Sequence, residues 1–183
     1  CLADDMGLGK TVQTLGVLLA RADKGAALVV APVSVCNNWF SECQRFAPSL
    51  RPIFYRGKDR QVLLGGLQPH DLLIASYGLL QQDVEAFQNI RWTTIVLDEA
   101  QAIKNPQATT TRLIQDLNAS HRFCLTGTPL ENNLGELWSL FRFIAPGFLG
   151  DSRTFARQWR HPIEKKGDSG RARLLANRVK PFL

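Results

Sequence analysis

The stretch that decides the fold is DDMGLGKT at residues 4–11, which runs directly into an apolar, helix-length segment. Gly7 and Gly9 allow the backbone to turn its N–H groups around phosphate oxygens. The helix predicted to follow directs the positive end of its dipole toward the same oxygens. In such a loop Lys10 reaches the β- and γ-phosphates, and Thr11 offers its hydroxyl to Mg²⁺. The stretch therefore predicts a nucleotide site at the start of a helix.

The loop departs from the general phosphate-loop pattern in one place. Asp4 stands where G-x-x-x-x-G-K-[ST] has its first glycine, so the stretch alone also fits a Gly-containing turn that precedes a helix. A phosphate loop normally follows a buried strand, whereas only residues 1–3 precede this one. We therefore expect the first strand to be incomplete. The expected nucleotide-binding residues of the loop are Gly7, Leu8, Gly9, Lys10 and Thr11.

A second motif, TIVLDEAQ at residues 94–101, supplies what the loop lacks. An apolar, β-branched run that ends in two acids predicts a buried strand that delivers carboxylates to the ligand-binding edge of a sheet. Asp98 is expected to hold Mg²⁺ through its water shell, and Glu99 to orient and deprotonate the attacking water. An Asp-Glu pair at a strand end is common by chance. Together, however, the two motifs provide phosphate, metal and water sites.

A third element, LTGTP at residues 125–129, follows another predicted strand. Its two hydroxyls, on Thr126 and Thr128, lie on a Gly-Pro turn from which they could reach the acids and relay the nucleotide state. Without that context the same residues are merely a turn.

Short β-rich runs alternate with helix-length stretches along the chain, which predicts an α/β fold with a mostly parallel sheet flanked by helices. The predicted strands are 27–31, 52–55, 72–76, 93–97 and 122–126, and the predicted helices are 11–21, 35–46 and 106–117. Asn105 before Pro106 predicts an N-cap with a first-turn proline, and Asn133 with Glu136 forms a possible capping pair.

Composition places the chain among intracellular globular domains. It has 183 residues, of which 45% are hydrophobic and 21% charged, and it contains neither a bilayer-length apolar run nor a signal-peptide pattern. No membrane partner is expected, and the expected location is the cytoplasm and nucleoid of a bacterium or the nucleus of a eukaryote. The four cysteines lack zinc-ligand spacing and are expected to be reduced core thiols.

The net charge of +6 lies entirely at the C-terminus. Residues 1–150 carry thirteen basic and thirteen acidic side chains, whereas residues 151–183 carry nine basic against three acidic ones. Within this tail Asp151 and Ser152 suggest a helix cap. Basic and aromatic side chains then recur on two helix faces, with Arg153, Arg157 and Arg160 on one and Phe155 and Trp159 on the other. The basic face could contact phosphates, pack against another lobe or remain in solvent.

Four strings carry a resemblance to a known family: DDMGLGKT, VVAPVSVCNNW, VLDEAQAIKNP and LTGTPLENNLGELWSLFRFIAPGFLG. In this order they closely resemble the N-terminal RecA-like lobe of the Swi/Snf-type ATPases of helicase superfamily two. Asp4, anomalous under the general rule, is what this family shows. The forms DEAQ and LENN resemble its bacterial branch, and the last six residues resemble the link toward a second lobe.

The resemblance implies ATP and Mg²⁺ as cofactors and double-stranded DNA as the track. It also implies translocation without full strand separation, with a second RecA-like lobe and DNA-bound proteins as further partners. Ser34, Asn38 and Trp39 fall in the element that usually faces the DNA backbone, although Trp39 with Phe40, Cys43 and Phe46 could equally form a helical core face. Gln101 would couple nucleotide to the opposite lobe, with Lys104 extending the motif, and Thr126 and Thr128 become coupling residues.

The resulting interpretation is a RecA-like P-loop lobe over residues 1–150, followed by a basic helical extension over 151–183 that leads toward an absent second lobe. Its expected function is the ATP-binding lobe of a DNA-translocating ATPase. The alternatives are an RNA helicase lobe with the same nucleotide site and a scaffold that binds nucleotide without hydrolysing it. A signalling GTPase is disfavoured, because the sequence has no N-K-x-D string to read guanine.

Overall fold

Five parallel strands form one sheet in the computed structural model, which describes residues 1–2, 8–103, 105, 108–127 and 134–183. The strands are β1 (Ala27–Ala31), β2 (Arg51–Phe54), β3 (Asp71–Ser76), β4 (Trp92–Leu97) and β5 (Ala119–Cys124). They lie in the order β2-β3-β1-β4-β5, and every neighbouring pair is parallel.

Helices connect the strands and follow the last one. They are α1 (Lys10–Leu19), α2 (Val33–Phe46), α3 (Val62–Gly65), α4 (Tyr77–Gln82), α5 (Val84–Gln88), α6 (Thr109–Gln115), α7 (Leu134–Ile144), α8 (Ser152–Phe155) and α9 (Ser169–Val179). A π-helix, Ala156–Lys165, continues α8, and short 3₁₀ turns occupy Ala22–Lys24, Ala100–Ile103 and Lys180–Phe182.

The central strands are buried on both faces, which explains their nearly continuous apolar sequences. Every residue of β1, β3 and β4 is buried. At the middle of the sheet Val29 pairs with Ile74 on one side and with Val96 on the other. This pattern confirms the predicted parallel sheet and the RecA-like α/β fold class.

Alternate side chains of the strands enter two cores, one on each face of the sheet. Helices α1 and α2 cover the first face with residues such as Leu15 and Trp39. Helices α4 to α7 cover the second face, where Trp92 and Phe143 are fully buried. A third, smaller cluster joins α7 to the extension through Phe155. The extension thus packs on the rest of the chain through α7, and the domain division at residue 150 stays a prediction.

The chain that precedes the phosphate loop lies beside β5, on the side opposite β4. Leu2 forms a parallel bridge with Leu125; its N–H donates to the carbonyl of Cys124 at 2.9 Å, and its carbonyl accepts from the N–H of Thr126 at 3.1 Å. This is the position of the expected first strand, to which the described residues contribute a single bridge.

Most of the predicted elements are confirmed, and two are wrong at their starts. The last strand begins at Ala119 rather than at residue 122, because its first half is largely exposed and therefore lacks the apolar run that marks a buried strand. The helix predicted over 106–117 begins at Thr109 with Ala108 as N-cap, so the Asn105 cap is wrong. Pro106 and Asn133 lie outside the described residues.

The extension begins as predicted and then departs from a regular α-helix. The Asp151 carboxylate accepts from the N–H groups of Arg153 and Thr154, which confirms the predicted cap. After Phe155 the backbone widens into the π-helix, and Pro162 lies inside it. A proline in an α-helix lacks the N–H and clashes with the carbonyl four residues earlier, and the wider turn relieves that conflict. The i, i+4, i+7 spacing therefore no longer defines one basic face.

The described helices include none that is both long and apolar enough to cross a membrane. All four cysteines are free thiols, and Cys43 and Cys124 are buried. Burial raises the pKa of Cys43 to about 11 and that of Cys124 to about 12, so both remain protonated at neutral pH. These two are the core thiols that the sequence predicts, whereas Cys1 and Cys36 are half-buried.

Two glycines provide a matched test of the fold. Gly25 enters β1 with φ of 135°, and a Cβ there would lie 2.7 Å from Oγ1 of Thr93, so Gly25→Ala should lower the free energy of unfolding by about 1–3 kcal/mol. Gly16 lies in α1 with open space around it, so Gly16→Ala should raise that free energy by roughly 0.5–1 kcal/mol. Urea denaturation of both variants checks the signs, and equal effects would contradict the assigned role of Gly25.

Candidate nucleotide site

Parallel strands bring the three chemical motifs to one edge of the sheet. The carboxyl ends of β1, β4 and β5 are adjacent, and ligands of open α/β sheets bind outside such ends. Asp98 follows β4 directly, and Thr126 lies two residues beyond β5. Helix α1, which begins at Lys10, approaches the same edge, since the charge of Lys10 acts on the Asp98 carboxylate. The structure therefore gathers at one edge residues that lie as far apart in sequence as Lys10 and Thr126.

The phosphate loop ends on a left-handed glycine. Gly9 is the N-cap of α1 with φ of 74° and ψ of 25°, a conformation that residues with a Cβ adopt at a cost. The Thr14 hydroxyl donates to the carbonyl of Lys10 at 2.7 Å, and the Gln13 amide donates to the carbonyl of Leu8 at 3.2 Å. Both bonds end on carbonyl oxygens near the start of α1 and use no backbone N–H group of that helix. Gly7 and Asp4 lie outside the described residues.

The Asp98 carboxylate is buried and held through both oxygens. Its Oδ2 accepts from Nε1 of Trp39 at 2.7 Å, and its Oδ1 accepts from the N–H of Glu99 at 2.9 Å. Burial raises the pKa of Asp98 above its usual value, and the two hydrogen bonds and Lys10 offset part of that rise. A buried carboxylate whose charge is disfavoured gains from a nearby cation, as a divalent metal would provide.

A Mg²⁺ ion is compatible with these residues but would need additional ligands. Among the described residues no group of three or more His, Cys, Asp or Glu could hold a metal. Mg²⁺ commonly binds through one or two protein oxygens and completes its shell with water and substrate phosphates. Asp98 and the half-buried Thr11 offer that number of oxygens. The donor set therefore fits a metal that arrives with a nucleotide.

Glu99 adopts an unusual backbone conformation at the sheet edge. Its φ of 50° lies in the left-handed region, which glutamate rarely occupies. Such conformations cost free energy and cluster at functional sites, where the surrounding structure imposes them. The Glu99 side chain is only half-buried, and Oε2 accepts from the Gln101 amide at 2.5 Å. The carboxylate is thus both oriented and accessible, as a general base requires.

A chain of hydrogen bonds joins the acidic motif to the segment after β5. Gln101 donates to Glu99, and the Thr126 hydroxyl donates to Oε1 of Gln101 at 3.2 Å. The backbones are joined as well, because the N–H of Ala100 donates to the carbonyl of Leu125. This arrangement brings together the expected general base, Glu99, with Gln101 and Thr126, which are expected to couple the nucleotide to another lobe. Thr128 and Lys104 lie outside the described residues.

The residues predicted to face DNA differ in their exposure to solvent. Ser34 and Asn38 are exposed on α2, and the Asn38 amide donates to Oε1 of Glu42 at 3.1 Å. Trp39 is fully buried, so the interpretation of it as a surface contact is wrong and the core-face alternative holds for it and for Cys43. The same alternative fails at Phe46, which is 45% exposed.

The basic side chains of the extension differ in their availability. Arg153, Arg157 and Arg160 are all exposed. Arg160 pairs with Glu164 at 3.0 Å, and Glu164 also accepts from the N–H of Leu134 at 2.8 Å. Within the described ranges the guanidinium groups of Arg153 and Arg157 have no hydrogen bond or ion pair. Of the three arginines predicted to form the basic face, these two are consequently the ones that remain accessible to a ligand.

Tyr77 is a residue near the site that sequence reasoning missed. Its hydroxyl donates to the backbone carbonyl of Asp98 at 2.8 Å. Burial raises the pKa of Tyr77 well above its usual value, with smaller contributions from Cys124, Asp98 and Glu99, so the hydroxyl remains a donor. Its position directly after β3, at the same sheet edge, was the signal that could have found it.

A parallel sheet with a helix start, a buried aspartate and an accessible glutamate on one edge defines a RecA-like nucleotide-binding domain. The chain matches the SNF2-related domain family over residues 1–183, and it belongs to that family.

Similar proteins agree with this assignment. The chain is 41% identical over its whole length to "Putative ATP-dependent helicase/translocase YwqA" of Bacillus subtilis, and 39% identical over 92% of its length to "Chromatin-remodeling ATPase INO80" of Arabidopsis thaliana. It covers 21% and 12% of these relatives. A solved structure, "Sulfolobus solfataricus SWI2/SNF2 ATPase core in complex with dsDNA", is 38% identical with a TM-score of 0.87; the match includes all of this chain and 38% of that one. The resemblance drawn from the four strings is thus confirmed.

Proposed function

We propose that this chain is the ATP-binding lobe of a double-stranded DNA translocase of the remodelling type. The observation that carries the proposal is that Asp98 and Glu99 follow β4 at the sheet edge where the charge of Lys10, the first residue of α1, acts on Asp98. This arrangement would set phosphate, metal and water sites side by side. Relatives named as ATP-dependent helicase, translocase and chromatin-remodelling ATPase support it.

Each residue of the edge has a distinct part in ATP hydrolysis. The start of α1 and Lys10 bind the phosphates, with the loop N–H groups and the helix dipole favouring negative charge. Thr11 and Asp98 would hold Mg²⁺, which neutralises charge on the phosphates when bound. Glu99 orients a water and accepts its proton, and Gln101 keeps the Glu99 carboxylate in position.

Double-stranded DNA is the proposed track, and the exposed outer face of α2 is the proposed contact within residues 1–150. Ser34 lies near the start of α2, where N–H groups favour phosphate oxygens. Asn38 follows one turn later on the same face, although Glu42 beside it limits the local positive charge. The similarity to the Sulfolobus ATPase core, which was solved in complex with double-stranded DNA, supports DNA over RNA.

The first prediction from the proposed function separates nucleotide binding from turnover. Lys10→Ala should weaken Mg-ATP binding, because it removes a phosphate contact. Glu99→Gln in the complete protein should retain ATP binding and lose turnover by about 10²–10⁴-fold, because it removes the base alone. Calorimetry and steady-state assays on folded proteins measure both. Equal loss of binding in the two variants would falsify this division of roles.

The second prediction concerns the basic extension. Reversing the charges of Arg153 and Arg157 in the complete protein should weaken DNA binding and flatten its salt dependence, by about 0.9 in the log–log slope for each lost phosphate contact. Arg160→Gln is the matched control, with a smaller expected effect since Arg160 is paired with Glu164. Titrations at several salt concentrations provide the slopes. An unchanged slope would assign the two arginines to solvent or to protein packing.

The third prediction concerns an arginine that reaches the γ-phosphate, which can be worth about 10³–10⁵ in rate. Arg122 and Arg142 are near the coupling segment in sequence, but both are engaged elsewhere. Arg122 donates to the carbonyls of Leu117 and Phe143, and Arg142 lies 3.8 Å from Asp116. We therefore propose that a second RecA-like lobe supplies this arginine.

Residues 1–183 alone should accordingly hydrolyse ATP barely above background and respond little to DNA, whereas the two-lobed protein should be strongly stimulated by double-stranded DNA. Phosphate-release assays on both proteins check this, with single-stranded RNA as the competing stimulant. Robust, DNA-stimulated turnover by the 183-residue chain, abolished by Glu99→Gln so that contamination is excluded, would show that the site is complete within one lobe.

A further inference from the structure

We propose that Trp39 is a positioning residue that holds Asp98 from within α2 and makes the metal site respond to what the outer face of α2 contacts. The inference rests on the proposed function, because it concerns how the same site is regulated. It assigns a mechanical role to a tryptophan that the sequence motif would place on the DNA surface and that the structure places in the core.

Both partners of the Trp39–Asp98 hydrogen bond are buried, so breaking it carries a free-energy cost for each of them. Nε1 of Trp39 lies 2.7 Å from Oδ2 of Asp98, and the tryptophan is 0% exposed while the aspartate is 9% exposed. A buried N–H that loses its acceptor, and a buried carboxylate that loses a donor, both incur a desolvation penalty. Bonds to a charged acceptor are also stronger than neutral ones. A shift of α2 therefore moves Asp98 with it or breaks a costly bond.

One face of helix α2 is exposed to solvent, and the opposite face contacts Asp98. Ser34 and Asn38 are four residues apart on the exposed face. Cys36 and Trp39 are three residues apart on the inner face, and the charge of Asp98 acts on the Cys36 thiol as well. Helix α2 is one 14-residue element that packs on β2 and β3, so its two faces belong to the same close-packed unit. In this proposal, a contact on the outer face therefore acts on the aspartate through Trp39.

The remaining supports of Asp98 do not involve α2. The N–H of Glu99 holds Oδ1, and the Tyr77 hydroxyl holds the backbone carbonyl. With these bonds intact, loss of the indole N–H frees Oδ2 alone. The backbone of β4 and the position of Glu99 stay as they are, so the defect should appear in metal-dependent binding rather than in folding or in the base.

The test uses Trp39→Phe in the complete protein, in a Glu99→Gln background that stops turnover. ATP affinity is measured by calorimetry with Mg²⁺ and with EDTA, each with and without double-stranded DNA. Trp92→Phe is the matched control, since Trp92 is also 0% exposed and loses an N–H that donates to the carbonyl of Phe87 at the other end of β4.

Trp39→Phe should reduce the gain in ATP affinity that Mg²⁺ provides by about 10-fold, the range typical of lost outer-sphere partners, and leave the affinity in EDTA unchanged. The factor by which double-stranded DNA changes the affinity for Mg-ATP should also approach one, because the link from α2 to Asp98 is lost. In the complete protein that retains Glu99, Trp39→Phe should raise the Mg²⁺ concentration for half-maximal turnover, while kcat at saturating Mg²⁺ stays within a few-fold. Trp92→Phe should match its parent in every respect.

A second variant removes the N–H without altering the ring shape. Incorporating benzothienylalanine at position 39 replaces the indole N–H by sulfur and keeps the core filled, so it separates the hydrogen bond from packing if Trp39→Phe proves unstable. Mg²⁺-dependent affinity and DNA coupling equal to the parent in this variant would overturn the inference. Failure of the Glu99→Gln parent itself to bind ATP would instead overturn the proposed function, and the inference with it.

Discussion

The parallel pairing of β1 with β3 and β4 is the constraint on which the rest of the molecule depends. Val29 opposite Ile74 and Val96 fixes the register, and every residue of these strands is buried. Because all the carboxyl ends point the same way, the polar residues that follow the strands must meet at one edge. A slip of one residue would turn apolar side chains from one core to the other and would withdraw Asp98 from the edge. The positions of these polar residues are therefore fixed by the same packing that fixes the register of the strands.

Placing charge at the end of such a buried sheet has a cost that the surrounding residues reduce. The pKa of Asp98 is raised by burial, yet two hydrogen bonds and Lys10 favour the ionised form. Glu99 adopts a left-handed backbone, which places the base next to Asp98 without burying it fully. In the proposed function, the ion and the phosphates of Mg-ATP would supply charges opposite to those of Asp98 and Lys10. The buried charge of Asp98 and the left-handed backbone of Glu99 both lower the stability of the fold, and both fix the position of a carboxylate at the edge.

The sequence predicted where Lys10, Thr11, Asp98 and Glu99 lie in the fold because its motifs depend on local rules. A helix start after glycine and an apolar run ending in acids place these residues without tertiary information. Their roles in binding and hydrolysis stay predictions. The beginning of β5 could not be predicted, since a half-exposed strand carries no continuous apolar run. The burial of Trp39 was an open alternative, because helix periodicity cannot decide which neighbour covers a face. Trp39 and Asp98 are 59 residues apart, so their hydrogen bond could not be predicted without knowing the order of the strands. The same holds for the hydrogen bond from Tyr77 to Asp98. The prediction of one basic face on the extension assumed α-helical spacing. It was wrong because the chain forms a π-helix there, with Pro162 inside it.

The bridge between Leu2 and the end of β5 has a consequence for how these segments can move. The N–H of Leu2 donates to the carbonyl of Cys124 and the N–H of Thr126 donates to the carbonyl of Leu2, so the first residues of the chain and the segment that contacts Gln101 share one pair of backbone hydrogen bonds. Displacement of either segment has to break these bonds, so the two should open together as one unit of local unfolding. The strength of a single bridge thus limits how independently the two segments move.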